Sequence, residues 1–206
     1  MNRRWRRGAR DTGADQRYLG FAKVGESRTV TAGSIFRAFA RNNAWANHRL
    51  FEACARLMSS ELHATRTSFF PTIMKTLNHI LIVDWLYIDA LEGGGRGLDT
   101  VANEEPFAEL APLRNAQLVS DRKLIALVDV TDFDADVAIQ RVDHLQVERA
   151  GDVLLHLFQH QIHHRGQIHA MLSGTAVSPP QLDEFFLRDE LPLRQRELEA
   201  LGLTLV

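Results

Sequence analysis

Residues 151–174 read GDVLLHLFQHQIHHRGQIHAMLSG, and five of the chain's nine histidines fall inside them. A helix turns about 100° per residue, so His156, His160 and His164, at every fourth position, advance only about 40° per step and share one face. That face has the chemistry to hold a metal. The surrounding residues predict the helix itself: Leu154, Leu155, Phe158, Ile162 and Leu172 are spaced for burial, Asp152 favours the positive N-terminal end, and Gly174 suits the residue after the last turn.

What this face lacks narrows its chemistry. His160-Gln161-Ile162-His163-His164 has the two-histidine spacing of the zinc-protease motif H-E-x-x-H, but Gln161 stands where the general-base glutamate belongs and cannot take a proton at neutral pH. A peptidase is therefore disfavoured. The chain also lacks the paired Glu-x-x-His motifs from which carboxylate di-iron bundles assemble, which leaves a mononuclear, imidazole-rich site. A third ligand must come from another helix, and His79, in TLNHILIVDWLY at 76–87, is the candidate. Three imidazoles with one coordination position open is the arrangement of catalytic rather than structural zinc.

Composition sets outer bounds. With 206 residues and 45% hydrophobic content the chain is long enough for one soluble domain. A net charge of −2 gives no general drive toward nucleic acid or anionic membrane. Cys54 is the only cysteine, which excludes an intramolecular disulfide and a Cys-rich metal site and fits a cytoplasmic location. No apolar run approaches the roughly 20 residues that cross a bilayer.

In chain order, residues 1–30 form a basic extension, with Arg3, Arg4, Arg6, Arg7, Arg10, Arg17, Lys23 and Arg28 against Asp11, Asp15 and Glu26, and with glycines that break any helical period. The expectation is a loosely packed, solvated arm, with residues 31–206 as the folded domain. A first helix is predicted over 34–57, with Ser34 as N-cap and Ile35, Phe36, Phe39, Leu50 and Phe51 on its buried face. Asn43, Trp45 and Asn47 sit near its midpoint, either supporting the metal site from behind or facing solvent. His48 is expected in water and Cys54 in packing. A second helix is predicted over 68–92, with Pro71 in its first turn and Gly93-Gly94-Gly95 at its end. The long link 93–111 permits a crossover before a third helix opened by Pro112, on which Arg114, Asp121, Arg122 and Lys123 stay wet. Alternating residues between 132 and 147 predict a short extended hairpin or loop before the histidine helix. A brief helix over 182–187 and a last one over 194–201 complete the reading.

At this point the residues resemble a known family. NNAWAN at 42–47, TLNHILIVDWLY at 76–87, HLFQHQIHHRGQIHAML at 156–172 and SPPQLDEFFL at 178–187 look like the DinB family of DNA-damage-inducible proteins, distinct from the polymerase that shares the name. The resemblance covers about residues 33–190 and is most specific in H-x-x-x-H-R-G-Q downstream of L-N-H. It implies an all-α, up-down-down-up four-helix bundle with a long crossover between helices 2 and 3, a homodimer, and a divalent metal held by His79, His160 and His164. His156 stands as a possible fourth ligand, proton carrier or buried ring. Arg165 is expected to pair with an acid such as Asp84, tying two ligand helices together, with Gln167 and Asn43 close by as further support for the ligands.

Relatives in the wider superfamily include transferases that use low-molecular-weight thiols. The leading expectation is therefore a metal-dependent enzyme, with Zn²⁺ ahead of Ni²⁺ or Fe²⁺, that activates a small thiol toward a small electrophilic substrate. Hydrolysis by metal-bound hydroxide, with Asp84 turned inward, is one alternative. The other is a non-catalytic stress-response metal-binding or interaction protein. Nucleic acid is a disfavoured partner, since the basic arm alone would bind it weakly and with marked salt dependence.

Overall fold

The computed structural model describes residues 29–203, so the basic extension expected over residues 1–30 lies almost wholly outside the described residues. Those described form six α-helices and one small antiparallel sheet. Helix α1 spans Ala32–Cys54. Its N-cap is Thr31, not Ser34. Thr31 Oγ1 accepts from the Ser34 N–H at 3.2 Å while Ser34 Oγ accepts from the Thr31 N–H at 2.9 Å, so Ser34 closes a capping box from inside the helix.

A short helix α2, Ser59–Leu62, precedes α3, Ile73–Leu91, whose N-cap Thr72 accepts from the Lys75 N–H at 3.0 Å. The start expected near Ser68 is thus too early. Pro71 forces its predecessor out of the helical region, and its carbonyl accepts from the Arg66 N–H at 2.7 Å, closing a turn before the helix. The helix ends at the glycines as expected, with Gly93 and Gly94 at φ of 101° and 72°. Helix α4, Leu110–Val130, begins two residues ahead of Pro112, which occupies its third position. The first four N–H groups of a helix have no partner inside it, so the missing donor is tolerated there.

Strands β1, Asp136–Gln140, and β2, Leu145–Arg149, make the short hairpin, with Val137 opposite Glu148 and Ile139 opposite Gln146. The histidine helix α5, Ala150–Leu172, follows directly. The expected helix over 182–187 is absent. A 3-10 turn at Arg188–Glu190 leads instead into α6, Leu191–Leu201, which closes on left-handed Gly202 at φ 68°.

The long helices α1 and α3 each pack on both α4 and α5. One apolar cluster joins Phe36, Leu86, Leu124, Leu154, Leu157 and Phe158, and a second joins Leu50, Leu77, Leu81, Leu113, Ile168 and Leu172. The core face of α5 is narrower than expected, because Leu155 and Ile162 fall about 100° off its centre and are 53% and 51% exposed. Ile35, at 42%, misses the core of α1 in the same way. No helix among the described residues is long and apolar enough to cross a membrane.

Candidate metal centre

His79 comes from the middle of α3, and His160 and His164 from one face of α5, where the packing of the two helices brings the three together. Their ring nitrogens supply donor atoms that all lie within 4.8 Å of one another, and among the described residues this is the only group of three or more such side chains able to hold an ion. Ring centroids are 4.9 Å apart for His79–His160, 4.6 Å for His79–His164 and 4.3 Å for His160–His164.

Two details bear on whether a cation fits. His79 Nε2 and His160 Nε2 approach to 2.9 Å, so two ring nitrogens converge where a shared proton or a cation can bridge them, and His160 Nδ1 is buried with no hydrogen-bond partner. Gln167 spans the other two rings of this surface: its Oε1 lies 2.8 Å from His164 Nδ1 and its Nε2 lies 3.1 Å from His163 Nε2. Because an amide oxygen only accepts, the His164 proton sits on Nδ1 and Nε2 keeps its lone pair for a ligand bond. The donor set is therefore all-imidazole, neutral and pre-oriented, which suits a borderline divalent ion.

Burial keeps the rings neutral. It lowers His79 to about 4, helped by the His164 charge, and lowers His160 to about 3, helped by His164, His79, His156 and His163. His164 is also lowered, first by burial, with the Gln167 hydrogen bond opposing. Part of that burial comes from Phe70, whose ring lies 4.3 Å from His79 and 5.6 Å from His164. Sequence reasoning missed Phe70, which lies in the loop before α3, where no helical period marks a side chain as facing the histidines. His156 stays exposed one turn away, its ring 6.3 Å from His160 and 5.4 Å from Tyr87, outside the group of three.

Behind the histidines all four long helices contribute to a buried polar layer. Asp121 Oδ1 on α4 accepts from Asn43 at 3.1 Å, Asn47 at 2.9 Å and Gln117 at 3.1 Å. Asp84 Oδ2 accepts from Gln117 at 2.7 Å and its Oδ1 from Gln161. The expected Arg165–Asp84 pair does not form. Arg165 Nη1 donates instead to Asn43 Oδ1 and, at 3.0 Å, to Asn47 Oδ1; these two asparagines in turn donate to Asp121, while the Asp84 oxygens are taken by Gln117 and Gln161. Asn43 and Asn47 are thus buried and hydrogen-bonded to Asp121 and Arg165 rather than solvent-facing.

Asp121, expected in water, is 3% exposed, and Asp84 points into this layer rather than toward the metal group. Burial raises Asp84 to about 7, with Asp121 adding to it, and raises Asp121 to about 6, the amide donors and Arg165 opposing in both cases. Gln161, the residue that spoils the protease motif, spends its amide on Asp84.

These features define a helical protein with a three-histidine candidate metal centre backed by an amide–carboxylate layer. The chain belongs to the DinB family, whose sequence profile matches residues 28–196. It is similar to Protein DinB of Bacillus subtilis (strain 168), 26% identical over 147 residues that cover 66% of this chain and 85% of that protein. It is also similar to the Uncharacterized protein YizA of the same organism, 25% identical over 134 residues covering 63% of this chain and 80% of the relative.

Proposed function

We propose that His79, His160 and His164 bind one divalent cation, Zn²⁺ ahead of Ni²⁺ or Fe²⁺, and that the protein is a thiol-dependent transferase acting on a small electrophile. In this reading the four long helices run up-down-down-up, with residues 92–109 as the crossover between α3 and α4. The observation that carries it is a cluster of three imidazole donors within 4.8 Å and no carboxylate among them. When bound, such a cation lowers the pKa of an incoming thiol and favours its thiolate.

The chain's own residues do the rest. Gln167 holds His164 in the ligating tautomer and Phe70 shields the rings from water. No protein thiol competes, because Cys54, the only cysteine, is fully buried and burial pushes its thiol up to about 12, against the nearby Arg66 charge. The thiol gives its proton to solvent, its sulfur bonds the electrophilic carbon, and the leaving group departs with its electron pair. Hydrolysis is the weaker alternative, since Asp84, the carboxylate that would serve as base, is engaged by Gln117 and Gln161.

The test is a panel of cellular thiols with a chromogenic electrophile and metal-loaded protein. The reading expects turnover that chelator and His160→Ala both abolish. Absence of turnover with every thiol overturns the transferase assignment while leaving metal binding to be judged separately.

A further inference from the structure

On the side of α5 away from the ligand histidines, Ile162 and Gly166 border a second recess, about half a turn around the helix axis from His160 and His164. It lies between α1, α5 and the segment 181–186 and measures about 480 Å³, within the range of roughly 300–1,000 Å³ common to small-molecule sites. Ile162, Leu182 and Phe186 give it apolar walls.

Two buried polar groups reach it with donors to spare. Asn42 is 6% exposed, and its amide makes no hydrogen bond with any described residue. Arg165 is 3% exposed and spends only Nη1, on Asn43 and Asn47; no described residue accepts from its Nε or Nη2. The Nε/Nη2 edge of a guanidinium is a fork matched to the two oxygens of a carboxylate, so an anion entering the recess meets donors that nothing among the described residues already occupies. Asp183 also borders the recess, but it is exposed and accepts from Gln181, so it weakens the attraction for an anion without reversing it.

We propose that this recess binds a small organic carboxylate with an apolar tail, its head on Arg165 and Asn42 and its tail on Ile162, Leu182 and Phe186, independently of the metal centre. Calorimetric titration of the full chain with octanoate, octan-1-ol and octylamine tests it. The expected result is one saturable octanoate site per chain, binding of the alcohol and amine about tenfold weaker or less, and an octanoate affinity unchanged in His79→Ala.

Gly166→Leu supplies a variant that folds. A Cβ at Gly166 meets nothing within 4 Å, and replacing a mid-helix glycine favours the helix, so this variant melts no lower than the parent yet loses octanoate. Asn42→Ala weakens octanoate about tenfold. Absence of octanoate binding at millimolar concentration, equal binding of octanol, full binding in Gly166→Leu, or loss of binding in His79→Ala each overturns the proposal.

Discussion

Burial sets the protonation state of the three rings before any metal arrives. An ordinary histidine titrates near 6.5, whereas His79 and His160 are lowered to about 4 and about 3. Protons therefore compete with a metal only in acid. Apparent affinity is expected to fall less than about tenfold between pH 7 and pH 5.5, where three unperturbed histidines would lose nearly three orders of magnitude. Competition titration against a chelator of known pH dependence checks this. The same shifts act on folding. The unfolded chain takes up protons from about 6.5 downward and the folded rings do not, so the histidines make the metal-free protein less stable as pH falls through that window. Asp84 and Asp121, raised to about 7 and about 6, act oppositely and favour the fold as pH falls from 7 toward 4. The clustering of His79, His160 and His164 was legible in the sequence because residues four apart share a helix face and His79 was the only histidine in the middle of a second long apolar helical stretch. Phe70 and Asp121 were not. An aromatic in a loop carries no period, and a carboxylate on an amphipathic helix reads as wet unless the amides that receive it are known.

At the scale of elements, the polar layer ties the helices together more than any pair of residues does. Removing Arg165 leaves the buried Asn43 and Asn47 carbonyls without a donor and takes a favourable charge away from Asp121 and Asp84, so Arg165→Ala is expected to cost about 1–3 kcal/mol for each orphaned carbonyl in urea unfolding. An unchanged midpoint would remove this role. The capping box at the head of α1 is a smaller, local device. Thr31→Ala is expected to cost about 1 kcal/mol, a fall of roughly 2–4 °C in Tm on a thermal melt, with metal content unaffected. Helix existence was readable from hydrophobic period and from the Gly93-Gly94-Gly95 stop. Helix starts were less so, since serine, threonine and proline all mark an N-terminus and only the closed hydrogen bonds at Thr31 and Thr72 tell which residue caps. Leu155 and Ile162 were assigned to the core because spacing gives the width of a face but not how much of it the neighbouring helices cover.

For the whole molecule, metal binding to the folded chain alone must stabilise it, so saturating Zn²⁺ is expected to raise Tm and His79→Ala to erase the rise. The family resemblance implies a homodimer, and light scattering at micromolar concentration should return twice the 23.3 kDa chain mass; a monomer there removes the dimer from the account. The central claim, that imidazoles from α3 and α5 share one cation, is reached most directly by elemental analysis of untagged protein, alongside the His79→Ala, His160→Ala and His164→Ala variants. The account predicts about one divalent transition metal per chain in the parent and its loss from all three variants. A parent without stoichiometric metal after reconstitution, or variants that retain it, would contradict the account.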